Sequence, residues 1–299
     1  MDADTGTTPL DEFDTLWDFD DAAASEARFA ALLPRAREER DGTYHAEVLS
    51  QLARAQGLQR RFTDARATLH EAERALGAGN ARGQARILLE RGRVDRSEGI
   101  EGHGRSWFLE AWDFARAIGD DDLAVDAAHM LGIVEPADEG AAWNERAMEL
   151  ARASTDPAAR RWVGSIASNM GWTRHAEGDF PGAIALFELA RDEWLADGRV
   201  NRARIARWSI ARCLRSQANF RGALAEQESL LAELDELGET DGYVLEEIGE
   251  CLLALGRSDE ARPYFARAYE VLSQYPDLQA HEPERLARLR TLGGGQTEP

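Results

Sequence analysis

Residues 162–198 read WVGSIASNMGWTRHAEGDFPGAIALFELARDEWLADG, and this stretch decides the fold. It predicts one helix over 162–176, a four-residue turn with the letters EGDF, and a second helix over 181–196. Pro181 suits the start of the second helix, because the first N–H groups of a helix have no partner within it. Gly198 follows that helix, where glycine is a common terminator. One unit of the chain is therefore a pair of antiparallel helices.

The same pattern recurs along the chain, with a small residue at a fixed place in each first helix. Successive small residues are 39, 40, 39, 40 and 38 positions apart by subtraction of their numbers. A period in this range within helical segments is typical of a solenoid of helix pairs. We expect each small residue, here called an anchor, to lie where two helices cross closely. The anchors are Ala53, Gly92, Gly132, Gly171, Ala211 and Gly249.

Two of these units carry a more specific motif. Gly171 and Gly249 each follow a large apolar residue, and an Ala-x3-Phe pattern comes later in the unit, as at Ala183 and Phe187. These stretches resemble the tetratricopeptide repeat. The resemblance covers about residues 44–275 and implies an all-α solenoid, a right-handed superhelix of about six helix pairs. The period exceeds the roughly 34 residues of that family, so HEAT repeats, with about 40–47 residues, remain an alternative fold.

The two ends differ from the array. We expect residues 1–43 to form an acidic N-terminal segment with a capping helix, and 276–299 to form a short C-terminal helix and a disordered tail; the array occupies 44–275. Residues 1–21 hold eight acidic residues and no basic one. Because solenoids need atypical ends, this segment is expected to cover the first pair. The alternative is that it occupies the groove of the array.

Composition excludes several classes of function. The formal net charge is −20, and all 35 basic residues are Arg, with no Lys. A P-loop and a pyridoxal Schiff base both need a lysine, so neither is possible here. The acidic balance argues against nucleic acid as a partner. The N-terminus lacks a signal-peptide pattern and no apolar run spans a bilayer, so we expect a cytoplasmic protein without a membrane partner.

The residues that carry catalysis elsewhere show no pattern here. The six histidines are not paired at helical spacing, and no Gly-x-Ser-x-Gly elbow or Gly-rich phosphate loop occurs. We therefore expect no enzyme activity, no metal and no cofactor. Cys213 and Cys251 lie one repeat apart and are expected to be small buried residues without a disulfide.

The resemblance also implies which side chains would bind a partner. In tetratricopeptide arrays the first helix of each pair lines a concave groove, and its exposed positions can be transferred from the anchors. A guanidinium meets a carboxylate through two hydrogen bonds, and Trp offers a rigid contact surface. The alternative is that the arginines pair with local acids and that the tryptophans pack between units. The predicted groove residues are Arg93, Arg96, His129, Asn169, Trp172, His175, Trp208, Arg212, Arg215 and Glu246.

The expected function is that of a non-catalytic adaptor whose Arg- and Trp-lined groove binds a protein or peptide, above all an acidic extended segment. One alternative is a regulatory sensor that binds a small peptide or an anionic metabolite in the same groove. A second is an enzyme built around His129 and His175. The sequence leaves the partner's identity and the oligomeric state open.

Overall fold

The computed structural model describes residues 13, 15–18, 21–38, 42–77, 80–100 and 102–295, and these contain helices but no strand. The tail was expected to be disordered from residue 293; its residues 296–299 and most of the acidic segment 1–21 lie outside the described residues. In chain order the helices are α1 (Ala22–Ala36), α2 (Thr43–Leu58), α3 (Phe62–Ala75), α4 (Ala81–Glu98), α5 (His103–Ile118), α6 (Asp121–Val134), α7 (Ala137–Ala153), α8 (Pro157–Arg160), α9 (Val163–Ala176), α10 (Phe180–Ala196), α11 (Val200–Ser216), α12 (Phe220–Leu237), α13 (Gly242–Ala254), α14 (Ser258–Leu272), α15 (Pro276–His281) and α16 (Pro283–Leu292).

The chain divides into two compact units between Trp162 and Val163. In the first unit α1 packs on α2, and the pairs α2/α3, α4/α5 and α6/α7 follow in sequence order. The second unit contains the pairs α9/α10, α11/α12 and α13/α14, and α16 packs on α14. The predicted all-α fold of stacked helix pairs is confirmed. Among the described helices, none is both long enough and apolar enough to cross a bilayer.

The anchors lie at close helix crossings, as expected, and the structure shows what they contact. A Cβ added to Gly171 would lie 2.8 Å from Cε1 of Phe187, and one added to Gly92 would lie 2.4 Å from Cε1 of Phe108. Both phenylalanines are fully buried. The ring of the second helix therefore occupies the space that a side chain at the anchor would need, and interiors packed this closely leave no room for both.

Two neighbouring pairs use the same helix start. The Oδ1 of Asp179 accepts a hydrogen bond from the backbone N–H of Gly182 at 3.0 Å, and the Oδ1 of Asn219 accepts one from Gly222 at 3.1 Å. Such caps satisfy N–H groups that have no partner within the helix. A Cβ at Gly182 would lie 2.2 Å from Oδ2 of Asp179, so a larger residue there would require the capping carboxylate to shift.

The helices of the third pair are joined by a short connection. Helix α6 ends at Val134, and α7 begins at Ala137. Pro136 stands at the N-cap of α7, and Asp138 and Glu139 occupy its first turn, where acidic side chains complement the helix dipole. Only two residues therefore join these helices.

The described part of the N-terminal segment packs on the first pair. The ring of Phe13 is stacked on Tyr44 at 5.8 Å and meets Phe29 edge-on at 5.9 Å. The Trp17 ring lies 5.0 Å from Phe29, and its Nε1 donates a hydrogen bond to Oε1 of Gln51 at 3.0 Å. Phe13 and Trp17 therefore pack against residues of both α1 and α2.

The two cysteines are buried and form no disulfide. Burial raises the pKa of the Cys213 thiol to about 11 and that of Cys251 to about 12. Both side chains are therefore protonated, unreactive packing groups at neutral pH.

Candidate functional site

The first helices of neighbouring pairs pack against each other, and charged side chains lie between them. In the first unit, Nη1 of Arg93 on α4 donates a hydrogen bond to Oε1 of Glu90 at 2.6 Å, and its Nη2 bonds to Asp126 on α6. The side chains of Glu90 and Asp126 are 0% and 2% exposed, whereas that of Arg93 is 13% exposed. The carboxylates thus lie beneath the guanidinium. Burial opposes the charged form, but Asp126 and Glu90 together raise the pKa of Arg93.

Further arginines surround this pair on what we call the first-unit face, which comprises Arg54, Arg86, Glu90, Arg93 and Asp126. Nη1 of Arg54 lies 3.9 Å from Oε1 of Glu90. Nη2 of Arg86 lies 3.7 Å from Oδ2 of Asp122, which is in the first turn of α6. Burial, followed by repulsion from Arg93, lowers the pKa of Arg54. The face therefore brings positive charges close together.

The remaining predicted residues of the first unit differ from each other. Arg96 is exposed and forms no ion pair within 4 Å with any described carboxylate. His129 is half-buried, and its ring lies 5.3 Å from the Trp162 ring. Burial lowers the pKa of His129 to about 4, an effect that Asp126 opposes and Arg93 supports. His129 is therefore neutral at pH 7 and contributes no positive charge.

In the second unit, two arginines share one carboxylate. Nη1 of Arg212 donates to Oε1 of Glu247 at 2.6 Å, while Nε and Nη2 of Arg215 donate to Oε2 and Oε1 at 2.7 and 3.0 Å. The side chains of Arg212, Arg215 and Glu247 are 36%, 21% and 4% exposed. Burial raises the pKa of Glu247, and Arg215 opposes that effect. Two guanidiniums over one ionised carboxylate leave one positive charge at the surface.

The C-terminal helix supplies two further cations that the sequence analysis did not assign. Nε of Arg285 on α16 donates to Oε1 of Glu246 at 3.0 Å, and Nη2 of Arg288 donates to Oε2 of Glu250 at 3.1 Å. Glu246 was predicted to line the groove as an acidic group. It is neutralised instead by Arg285, whose own pKa the hydrogen bonds to Glu246 raise.

A row of aromatic rings joins α9, α11 and α13, and the last two helices also carry the paired arginines and Glu247. The Trp172 ring on α9 lies 5.1 Å from Phe187 and 6.0 Å from Trp208 on α11. The Trp208 ring lies 6.3 Å from Tyr243 on α13, and its Nε1 donates to the Tyr243 carbonyl oxygen at 3.3 Å. Both tryptophans are half-buried. We call Trp172, Trp208, Arg212, Arg215 and Glu247 the second-unit face.

Two predicted residues lie at the margin of this face. Nε2 of His175 lies 3.0 Å from Oγ of Ser216, and burial, together with Arg215, lowers the pKa of His175. Asn169, predicted to bond a peptide backbone, is half-buried on α9. Its backbone carbonyl oxygen accepts a hydrogen bond from Oγ1 of Thr173 at 3.3 Å.

The structure therefore divides the ten predicted residues between the units. Arg93, Arg96 and His129 belong to the first unit, and the other seven belong to the second. Among these residues, the Trp172 ring lies near the rings of His175 and Trp208, and Arg212 and Arg215 share the carboxylate of Glu247.

Sequence reasoning missed the buried acids that hold the arginines. Glu90 and Glu247 each lie two positions before an anchor, and the same position holds Gln51 and Asn169 in other units. A polar residue recurring beside a buried small residue is a signal that was available. Within the described part of the chain, no three His, Cys, Asp or Glu side chains are grouped so as to hold a metal ion.

Comparison with known proteins supports the fold. No protein-family model matches the sequence, and no curated protein matches it. A signal-transduction ATPase with a tetratricopeptide repeat sensor from Pyrococcus horikoshii has a TM-score of 0.66 at 14% identity; the match covers 94% of this chain and 44% of that one. This chain thus spans less than half of that protein's length.

Two further solved structures of similar fold are complexes. NprR with its cognate peptide NprX has a TM-score of 0.55 at 14% identity, covering 98% of this chain and 84% of that one. The Rap protein with the competence and sporulation factor has a TM-score of 0.53 at 14% identity, covering 96% and 98%. These similarities confirm a fold of the tetratricopeptide repeat type.

Proposed function

We propose that this chain is a non-catalytic binding protein whose second-unit face takes an extended, acidic peptide or protein segment. The observation that carries the proposal is the sharing of one buried carboxylate, Glu247, by Arg212 and Arg215. In a chain of net charge −20, the solvent side of this face is cationic.

The chemistry of the shared carboxylate supports an anionic partner. Each guanidinium has five N–H donors, and Arg212 uses one of them on Glu247 while Arg215 uses two. The unused donors point to a ligand that accepts two parallel hydrogen bonds, which is how a carboxylate binds Arg. A carboxylate from a partner would also reduce the repulsion between the two guanidiniums.

The neighbouring rings support a peptide rather than a free ion. Trp172 and Trp208 are held by ring contacts and by a hydrogen bond, so they lose little side-chain entropy when a partner binds. Such rings are typical anchors of binding surfaces. NprR and Rap have the same fold type, and their structures contain a peptide or a signalling factor. A shared fold does not define a function, so the proposal rests on the side chains.

A regulatory sensor is the second candidate. The Pyrococcus horikoshii protein of similar fold contains a tetratricopeptide repeat sensor. A sensor would change conformation on binding a peptide or an anionic metabolite, whereas an adaptor would keep its conformation. Small-angle scattering with and without the selected ligand separates the two, because only the sensor changes its scattering profile.

The proposal is tested by selecting ligands from a random 12-residue peptide library on the full chain and measuring their affinity for Arg212→Ala. In this variant Arg215 still bonds Glu247, so the buried acid keeps a partner. We expect affinity to fall at least tenfold at low salt, with a weaker salt dependence.

The matched control is Arg257→Ala, which removes one exposed arginine of the same unit, paired with Glu260 on α14. It should leave affinity within twofold. Equal binding by Arg212→Ala and the unchanged chain, or a selection that yields no peptide sensitive to Arg212, would refute the proposal.

A further inference from the structure

Four side chains on α11 form one stripe along the helix. Ile205, Trp208, Arg212 and Arg215 are three, four and three positions apart, the spacing of residues on one helix face. Ile205 is 55% exposed, although it is large and apolar. The α11 stripe is therefore apolar at one end and cationic at the other.

The apolar end is rigid. Trp208 is held between Trp172 and Tyr243, with ring centroids 6.0 and 6.3 Å away, and its Nε1 is bonded to the Tyr243 carbonyl. Ile205 lies about one turn away toward the N-terminus of the same helix. An apolar side chain placed there would remove the exposed surface of Ile205 from water, which is favourable by about 25 cal/mol per Å².

The cationic end is also fixed. Arg215 is held on Glu247 by two hydrogen bonds, and Arg212 is held by one. Glu247, which both arginines bond, is 4% exposed, and moving it would break its hydrogen bonds to both guanidiniums. Both halves of the stripe are therefore arranged before a ligand arrives, which lowers the entropy cost of binding.

The separation of the two ends defines the ligand. Ile205 and Arg212 are seven residues apart, and so are Trp208 and Arg215, which is about 10.5 Å along a helix at 1.5 Å per residue. A polyproline II segment rises about 3.1 Å per residue and repeats every three residues, so positions i and i+3 lie on one side about 9 Å apart. A β-strand places i and i+3 on opposite sides.

We infer that the second-unit face reads an apolar residue and an acidic residue three positions apart in a partner segment of polyproline II conformation. The inference rests on the proposed function and adds the sequence spacing and the backbone conformation of the partner. The apolar side chain would contact Ile205 and Trp208, and the carboxylate would bond Arg212 and Arg215.

The test uses fluorescein-labelled proline-rich peptides that contain one Leu and one Glu, separated by one, two, three or four prolines, in both orders. Anisotropy titration with the full chain gives each affinity. We expect the peptides with two intervening prolines to bind at least fivefold more tightly than those with one or three, in one of the two orders.

Two variants assign the ends of the stripe. Ile205→Ser should weaken binding of the Leu-containing peptide and have little effect once that Leu is replaced by Ala. Arg212→Ala should weaken binding of the Glu-containing peptide and have little effect once that Glu is replaced by Ala. Val200→Ser is the matched control, because Val200 is 47% exposed on α11 but is not at a stripe position, and it should leave affinity unchanged.

The outcomes separate the inference from the proposed function. Affinity that depends on Arg212 but not on the Leu–Glu spacing would overturn the spacing inference and leave the proposed function standing. No binding by any of these peptides, while library peptides do bind through Arg212, would likewise overturn the inference alone. No Arg212-dependent binding to either set overturns both.

Discussion

At the scale of single residues, the contact between anchor and ring explains both the fold and its exceptions. The second helix of each pair carries its own small residue, such as Ala183, and the residue four positions later packs against the anchor. That later residue is usually large and apolar. Two of these positions hold amides instead. The set is Leu69, Phe108, Asn144, Phe187, Gln227 and Phe265.

Gln227 gives a prediction about stability. It is 0% exposed, its Oε1 accepts no hydrogen bond from the described residues, and its Nε2 lies 3.5 Å from the Trp208 carbonyl oxygen. Because an unsatisfied buried acceptor costs about 1–3 kcal/mol, we expect Gln227→Leu to raise the free energy of unfolding by about 1 kcal/mol. Urea denaturation measures it.

The comparison substitution for Gln227→Leu is Phe187→Ala at the equivalent position of the preceding pair. It should lower the free energy of unfolding by about 3–5 kcal/mol, since it removes a fully buried ring. A loss of stability in Gln227→Leu would show that the amide makes hydrogen bonds worth more than its burial costs.

At the scale of elements, the described residues of the N-terminal segment pack on the first pair. Trp17 contacts Phe29, bonds Gln51, and lies with its ring 5.4 Å from the guanidinium of Arg54. Arg54 follows its anchor, Ala53, directly, as Arg212 follows Ala211 in the second unit. The segment therefore covers one position of the first-unit face as well as the end of α2.

The contacts of Trp17 predict how a Trp17 variant distinguishes two roles of the N-terminal segment, capping the first pair or occupying the groove. We expect Trp17→Ala to lower the unfolding free energy by about 2 kcal/mol, because a half-buried ring is lost. The affinity of Arg212-dependent peptides should stay the same. Thermal unfolding and anisotropy titration on one preparation measure both quantities.

Trp17→Phe is the control for this experiment, since it keeps the ring contact with Phe29 and should retain most of the stability. Tighter peptide binding by Trp17→Ala, without a fall in stability, would instead favour a segment that competes with the partner.

At the scale of the whole molecule, acids are buried beside arginines on the first-unit and second-unit faces, while the chain as a whole is acidic. This arrangement makes stability depend on pH through His129 as well as through carboxylates. Burial holds the pKa of His129 at about 4, below its ordinary value of 6.5. The folded state therefore binds this proton less readily than the unfolded state.

The sign of the effect follows from that difference. The stabilisation is complete above pH 6.5 and is lost as pH falls toward 4. With a His129 pKa of about 4 in the folded state and 6.5 in the unfolded state, the free energy of unfolding is lower by about 2 kcal/mol at pH 5 than at neutral pH. We expect His129→Gln to lose less stability than the unchanged chain between pH 7 and pH 5, as measured by urea denaturation at each pH. Identical slopes would contradict a depressed His129 pKa.

The sequence determined the fold because its signals are local. The anchor residues, the proline at the helix start at Pro181 and the Ala-x3-Phe pattern all act within one helix pair, and each pair packs mainly on its neighbours. The expected helix 162–176 and second helix 181–196 agree with the structure to within one residue. The resemblance to tetratricopeptide repeats rested on the same local features.

Only the tertiary structure decided which charged groups remain for a partner. Arg93 and Arg212 fit the same sequence pattern, yet Arg93 bonds two carboxylates, while Arg212 shares the single carboxylate of Glu247 with Arg215. Glu90 lies on the same helix as Arg93, but Asp126 and Glu247 lie on the next helix pair, more than thirty residues along the chain from the arginines that they bond. A charge pattern along one helix cannot show them, because ion pairing depends on atoms that are brought within about 4 Å only when helices pack.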